Sequence, residues 1–124
     1  MASFTELRNL LLENVLDIRF LRRTPKPGSG STRRMLCTNS TNLLNSYNGK
    51  LILGYTAPTQ YPKFDPQAEN IIITWDILMQ NYRCINVDNC TIIQKLPAND
   101  EFWKYFNENV YTMSTSQKIN FMNT

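Results

Sequence analysis

The chain has 124 residues, 42% of them hydrophobic and 11% aromatic, with a formal net charge of +3. That length suits one domain around a modest core, and that composition excludes wholesale disorder. Apolar runs all fall short of the roughly 18 residues needed to span a bilayer, and the absence of histidine removes the commonest general base, the commonest zinc ligand and every Ser-His or Cys-His nucleophile pair.

Ser3-Phe4-Thr5-Glu6 is a capping box, and Phe4, Leu7, Leu10 and Leu11 follow at helical spacing, so residues 3–14 are predicted to form an amphipathic helix lidding one end of the fold. The opening Met-Ala-Ser-Phe-Thr-Glu places no basic region before an apolar stretch and does not read as a secretory signal, so the expected compartment is the cytoplasm. Residues 15–23 read as a strand with Leu16, Ile18 and Phe20 facing in and Asp17, Arg19 and Leu21 facing out. Thr24-Pro25-Lys26-Pro27-Gly28-Ser29-Gly30-Ser31 breaks the ladder, and residues 32–38 resume it, which predicts a hairpin with a long tip.

Residues 19–34 hold Arg19, Arg22, Arg23, Lys26, Arg33 and Arg34 with no acid among them. The rest of the chain carries seven basic against ten acidic residues, so the positive charge is concentrated on this hairpin. Such polarity favours an anionic partner, though solvated arginines also keep an exposed hairpin from sticking to its neighbours.

Residues 39–70 are rich in breakers. Asn48-Gly49 ahead of Leu51-Ile52-Leu53 suggests a small hairpin, and Pro58, Pro62 and Pro66 leave Tyr55, Tyr61 and Phe64 on irregular backbone, folded back over the strands or free to stack on bases.

Ile71, Ile73, Trp75 and Ile77 alternate, Arg83, Ile85 and Val87 alternate again, and Asp88-Asn89 supplies a turn before Cys90, Ile92 and Leu96. These are expected to be three consecutive antiparallel strands around a buried Trp75, curling into a sandwich or small barrel to bury their apolar face. Asn99 caps a second helix over residues 99–111, whose Phe102, Trp103, Phe106 and Val110 share one face suited to plugging a barrel. From residue 112 the chain is polar and is expected to fray. Residues 1–111 thus read as a single small-barrel domain with an inserted loop region over 39–69, and 112–124 as a flexible tail.

The three cysteines, Cys37, Cys84 and Cys90, lack C-x-x-C spacing and read as buried small hydrophobes, a reactive thiol or a Cys84–Cys90 bridge being the alternatives. No metal site, cofactor or catalytic set is expected. Asp76 near Arg83 is the one carboxylate–arginine pairing on offer, and Asp76 reads better as a turn acceptor at a strand end.

Ile18-Arg19-Phe20, Thr32-Arg33-Arg34-Met35-Leu36-Cys37-Thr38, Thr74-Trp75-Asp76-Ile77 and Asn81-Tyr82-Arg83-Cys84-Ile85-Asn86-Val87-Asp88 resemble a family of small phage proteins. That family is WYL-like with an Sm-like small β-barrel, the Src-homology type of fold. The resemblance spans roughly residues 5–96 and departs at the 39–69 insert and at the second helix with its tail. It implies a five-stranded small barrel behind the N-terminal helix; with the C-terminal helix read above, the expected fold class is mainly β (α+β). It also implies a phage accessory module acting in the host cytoplasm; the missing histidine and the short apolar runs add the expectation that it is non-enzymatic and has no membrane partner.

The expected function is contact with nucleic acid, DNA or RNA, or with a host nucleic-acid machine. Arg19, Arg22, Arg23, Lys26, Arg33, Arg34 and Arg83 are the candidate binding residues, since the guanidinium fork pairs with phosphate through two bonds. Tyr55, Tyr61 and Tyr82 are the candidate stacking platforms. The alternative is a protein-interaction module that inhibits or redirects a host protein by meeting an acidic surface.

Overall fold

The computed structural model describes residues 3–22 and 31–124. Arg23, Lys26 and the Pro-Gly-Ser tip of the basic hairpin lie outside the described residues. The fold is α+β, a five-stranded antiparallel sheet with helices at both ends of the chain.

Helix α1 (Phe4–Glu13) starts where predicted. The Ser3 hydroxyl accepts the Glu6 N–H at 3.2 Å, and Leu7 and Leu11, one turn apart, are both buried. The Asn14 side chain closes the helix by donating to the Leu10 carbonyl at 3.0 Å. Strands β1 (Asn14–Leu21) and β2 (Thr32–Thr38) pair antiparallel, Val15 opposite Thr38 and Leu21 opposite Thr32. Strands β3 (Ile71–Asp76) and β4 (Asn81–Asn86) form a second hairpin, with Ile71 opposite Asn86.

The last strand departs from expectation. Strand β5 (Cys90–Pro97) pairs with β1, not with β4, so the order is β4-β3-β2-β1-β5 and the predicted three-strand succession is split between opposite edges. A single 3₁₀ turn, Val87–Asn89, joins those edges. In a flat sheet they would stand about 19 Å apart, whereas the four residue steps from Asn86 to Cys90 reach at most about 14 Å. The sheet must therefore curl steeply, and a register shift between Asp17 and Ile18 against β5 adds to the bend. It is not closed into a barrel: β4 and β5 are edges without a common ladder.

Because β1 is covered on both faces, its side chains feed two cores. Leu16 and Ile18 meet Met35, Ile72, Ile85 and α1 on the concave side. Val15, on the other side, meets Leu36, Trp75, Leu96 and helix α4 (Asp100–Asn109). The predicted second helix thus does not plug the space under α1. Its Phe102, Phe106 and Val110 build the second core on the opposite face of the sheet.

The insert also differs. No hairpin forms at Asn48-Gly49. Two short helices, α2 (Thr41–Leu44) and α3 (Tyr47–Leu51), stand there instead, started by the side chains of Ser40 and Ser46. Gly49 is a helical residue pressed against the carbonyls of Leu43 and Leu44, where a Cβ would collide with backbone. The glycine serves close approach, not a turn. The predicted fraying tail contains helix α5 (Thr115–Met122), set by a complete capping box between Ser114 and Gln117.

All three cysteines are free; Cys37 and Cys90 are buried as expected, but Cys84 is exposed on β4. No helix among the described residues is long and apolar enough to cross a membrane.

Candidate functional site

Strand β2 pairs with β3 at Cys37 and Thr38, and among the described residues the stretch from Thr32 has no strand partner on that side. Helix α5 lies there, and this opening is where the arginines of the hairpin collect. Arg34 stands opposite Arg19 on β1, one same-face step from Asp17. It grips Asp17 through Nε–Oδ1 at 2.8 Å and Nη2–Oδ2 at 2.6 Å, with its guanidinium 4.2 Å from the Phe121 ring centroid. Hydrogen bonding to Asp17 comes first among the causes that hold the Arg34 guanidinium above its ordinary value.

Asp17 was expected to face solvent. It points outward from the concave core, as the alternation requires, but α4 covers that face and leaves the carboxylate fully buried.

Arg33, beside it, turns to the other side. Its Nη2 donates to Asp76 Oδ2 at 2.6 Å and lies 3.6 Å from the Met122 sulfur. Asp76 accepts the Met79 N–H through its other oxygen at 3.1 Å, the predicted turn role, and Arg83 Nε stands 3.9 Å away. Burial dominates this pair: desolvation raises the Asp76 carboxyl above its ordinary value against the pull of Arg33 and Arg83. The same desolvation lowers Arg33, with repulsion from Arg83 and Arg22 adding to it. Arg22 follows β1; its backbone N–H donates to the Ser31 carbonyl at 2.8 Å and its Nη2 to Asn123 Oδ1 at 2.9 Å.

The predicted basic residues therefore separate into groups. Arg33 and Arg34, expected to be exposed, hold internal carboxylates. Arg33 and Arg83 face Asp76, and Arg22 stands near Arg33 on the side of Asn123, so three guanidiniums share a corner that holds one carboxylate. Arg19 is exposed on β1. Arg23 and Lys26 lie outside the described residues.

Two cavities share this arginine corner. One, of about 240 Å³, runs from Phe20 and Leu21 across Arg22, Arg33 and Arg83 toward Asn86 and Asn89. The other, of about 220 Å³, lies between the same arginines and Ile119, Met122 and Asn123 of the C-terminal segment. The Nε groups of Arg22 and Arg83 are buried and have no hydrogen-bond acceptor among the described residues.

The tyrosines divide as well. Tyr55 and Tyr82 are half-buried, packed edge-on against Trp75 at 5.1 and 5.0 Å, and the Tyr82 hydroxyl donates to that of Tyr55 at 2.8 Å. Neither presents a free ring on both faces. Tyr61 is 95% exposed and borders an apolar groove of about 400 Å³ with Pro58, Phe64 and Cys84. Cys84 lines this groove and the first arginine cavity, so the two meet at the edge of β4.

Among the described residues no three His, Cys, Asp or Glu side chains gather as a metal site. The contributions of Asp17, Phe121 and Asn123 were not anticipated. Ser114 and Gln117, three residues apart, are the sequence signal for α5; the Asp17 pairing needs the register of β1 and β2, which periodicity alone does not supply. The chain matches no known protein family, no curated protein and no solved structure.

Proposed function

We propose that the protein is a non-enzymatic binding module that contacts nucleic acid through the corner formed by Arg22, Arg33 and Arg83, with Arg19 as an exposed flanking charge. One observation carries this reading: Arg22, Arg33 and Arg83 line the same two open cavities, and the one carboxylate at that corner, buried Asp76, faces only Arg33 and Arg83, leaving an excess of two positive charges. Charge-assisted bonds from arginine to phosphate are among the strongest polar contacts available to a protein surface. The exposed Tyr61 ring, reached across Cys84 along the β4 edge, offers a stacking surface beside that charge.

The same proposal includes the Sm-like small barrel and the phage WYL-like family. The leading α1, the five antiparallel strands and the steep curl forced by the short β4–β5 connection support that architecture. The role of an accessory protein in a host cytoplasm rests on the sequence resemblance alone.

Labelled duplex DNA, single-stranded DNA and RNA titrated at low salt test the reading. Saturable binding by at least one of them, weakened by Arg22→Gln with Arg83→Gln, is expected. Failure of all three to bind removes it. The apolar groove at Tyr61 and Phe64 favours the second reading, a module that grips an acidic host protein. Nuclease-resistant capture of such a protein, together with no nucleic-acid binding, would put that reading in its place.

A further inference from the structure

The arginine corner is more specific than a basic surface. Arg22 comes from the end of β1, Arg33 from β2 and Arg83 from β4, so three strands fix it. Among the described residues no aspartate or glutamate lines either cavity it borders. The nearest carboxylate, Asp76, is 1% exposed and already engaged by Arg33 and the Met79 N–H. Two charged donors, Arg22 Nε and Arg83 Nε, are buried without a hydrogen-bond acceptor among the described residues, Asp76 standing 3.9 Å from the second. Buried donors in native proteins rarely stay unpaired, and an orphaned charged one marks a place where an anion's oxygen gains most.

The first cavity also has apolar walls, Phe20, Leu21 and Ile85, and amide side chains, Asn86 and Asn89, at its other end. Apolar walls lower the local dielectric and strengthen the attraction to an anion held between them. Its occupant must bring about two negative charges and several oxygens in a compact head. An internal phosphodiester carries one charge and has chain on both sides. A phosphomonoester carries about −1.5 to −2 at neutral pH and presents three terminal oxygens.

The geometry points to the terminal phosphate of a nucleic-acid strand as the occupant of the pit between Arg22, Arg33 and Arg83, an assignment that rests on the nucleic-acid reading above. The rest of the strand leaves the pit along the β4 edge toward Tyr61.

Single strands of one sequence, DNA and RNA, carrying a 5′-phosphate, a 3′-phosphate or hydroxyls at both ends, test it on the full chain. One phosphorylated end is expected to bind about tenfold or more tighter than the hydroxyl strand. That advantage should fade as pH falls through the second phosphate ionisation near about 6. Arg22→Gln and Arg83→Gln should each erase it while melting like the parent protein, since Asp76 keeps Arg33 in both. Equal affinity for phosphorylated and hydroxyl strands overturns the end-specific site and leaves general nucleic-acid binding standing. Binding of no strand overturns both. A nucleoside monophosphate that competes as well as the phosphorylated strand overturns the strand end in favour of a free mononucleotide.

Discussion

Arg34 and Asp17 meet across β2 and β1 through two hydrogen bonds of 2.8 and 2.6 Å, with Asp17 fully buried beneath α4. The pair sits one same-face step apart in the ladder, because Arg34 stands opposite Arg19. This ties the basic hairpin to the second core. An arginine that looks in sequence like a phosphate ligand is here a structural counter-ion.

Arg34→Ala should therefore cost about 3–5 kcal/mol, the penalty for leaving a buried charge without its partner. That is a large part of the roughly 5–15 kcal/mol that holds a domain of this size. Replacing both partners, Asp17→Leu with Arg34→Met, should recover most of the loss. Urea unfolding of the parent, the single and the double variant decides it, and an unperturbed single variant would contradict the buried pair.

Asp76 makes a pH prediction of unusual sign. Burial raises its folded-state carboxyl above the ordinary 3.8. Between these two values the folded state binds more protons than the unfolded one, so this group's contribution falls as pH rises through the window and is fully present below it. Unfolding free energies of the parent minus those of Asp76→Asn should decline with rising pH just above the ordinary value. A difference that climbs instead would show a carboxylate governed by Arg33 and not by burial.

The thiols should separate in native alkylation. Cys84 is exposed and should react fast. Burial pushes Cys37 well above its ordinary value and Cys90 up to about 11, so both should stay slow until the fold is opened. Cys84→Ser should remove the fast phase; rapid labelling of Cys37 or Cys90 in the folded protein would overturn their placement.

Trp75 joins the insert to the sheet. Its Nε1 donates to the Leu53 carbonyl at 3.3 Å, its ring meets Tyr55 and Tyr82, and it is 3% exposed. Trp75→Ala should cost about 3–5 kcal/mol, while Trp75→Phe keeps an aromatic there and should cost less. Equal melting of parent and Trp75→Ala would contradict this packing.

Local periodicity made the strands and both longer helices legible, as Leu16, Ile18 and Phe20 on β1 and Ser3 before α1 illustrate. Partnership was not legible. Alternation gives a strand its two faces but cannot say that β5 returns to β1, or that α4 buries the face bearing Asp17. Asn48-Gly49 misled because the same dipeptide serves a tight turn or a close helix contact. The α5 helix was hidden by its polar composition, although Ser114 and Gln117 spell its start. Of the candidate site, the charge and the nearness of Asp76 to Arg83 were visible; the pairing of Arg34 with Asp17 and of Arg33 with Asp76 was not.

The central claim is that Arg22 and Arg83 of this corner, with Arg19 beside it, bind nucleic acid, and the salt dependence of that binding tests it most directly. Arg19, Arg22 and Arg83 give about three phosphate contacts, hence a slope of log affinity on log salt near about −2.7 for duplex DNA. Affinity should then fall about 40-fold between about 50 and 200 mM salt. Arg22→Gln with Arg83→Gln should flatten the slope by about two units with the melting temperature unchanged. A slope that this double variant leaves intact, or no binding at low salt, would contradict the account.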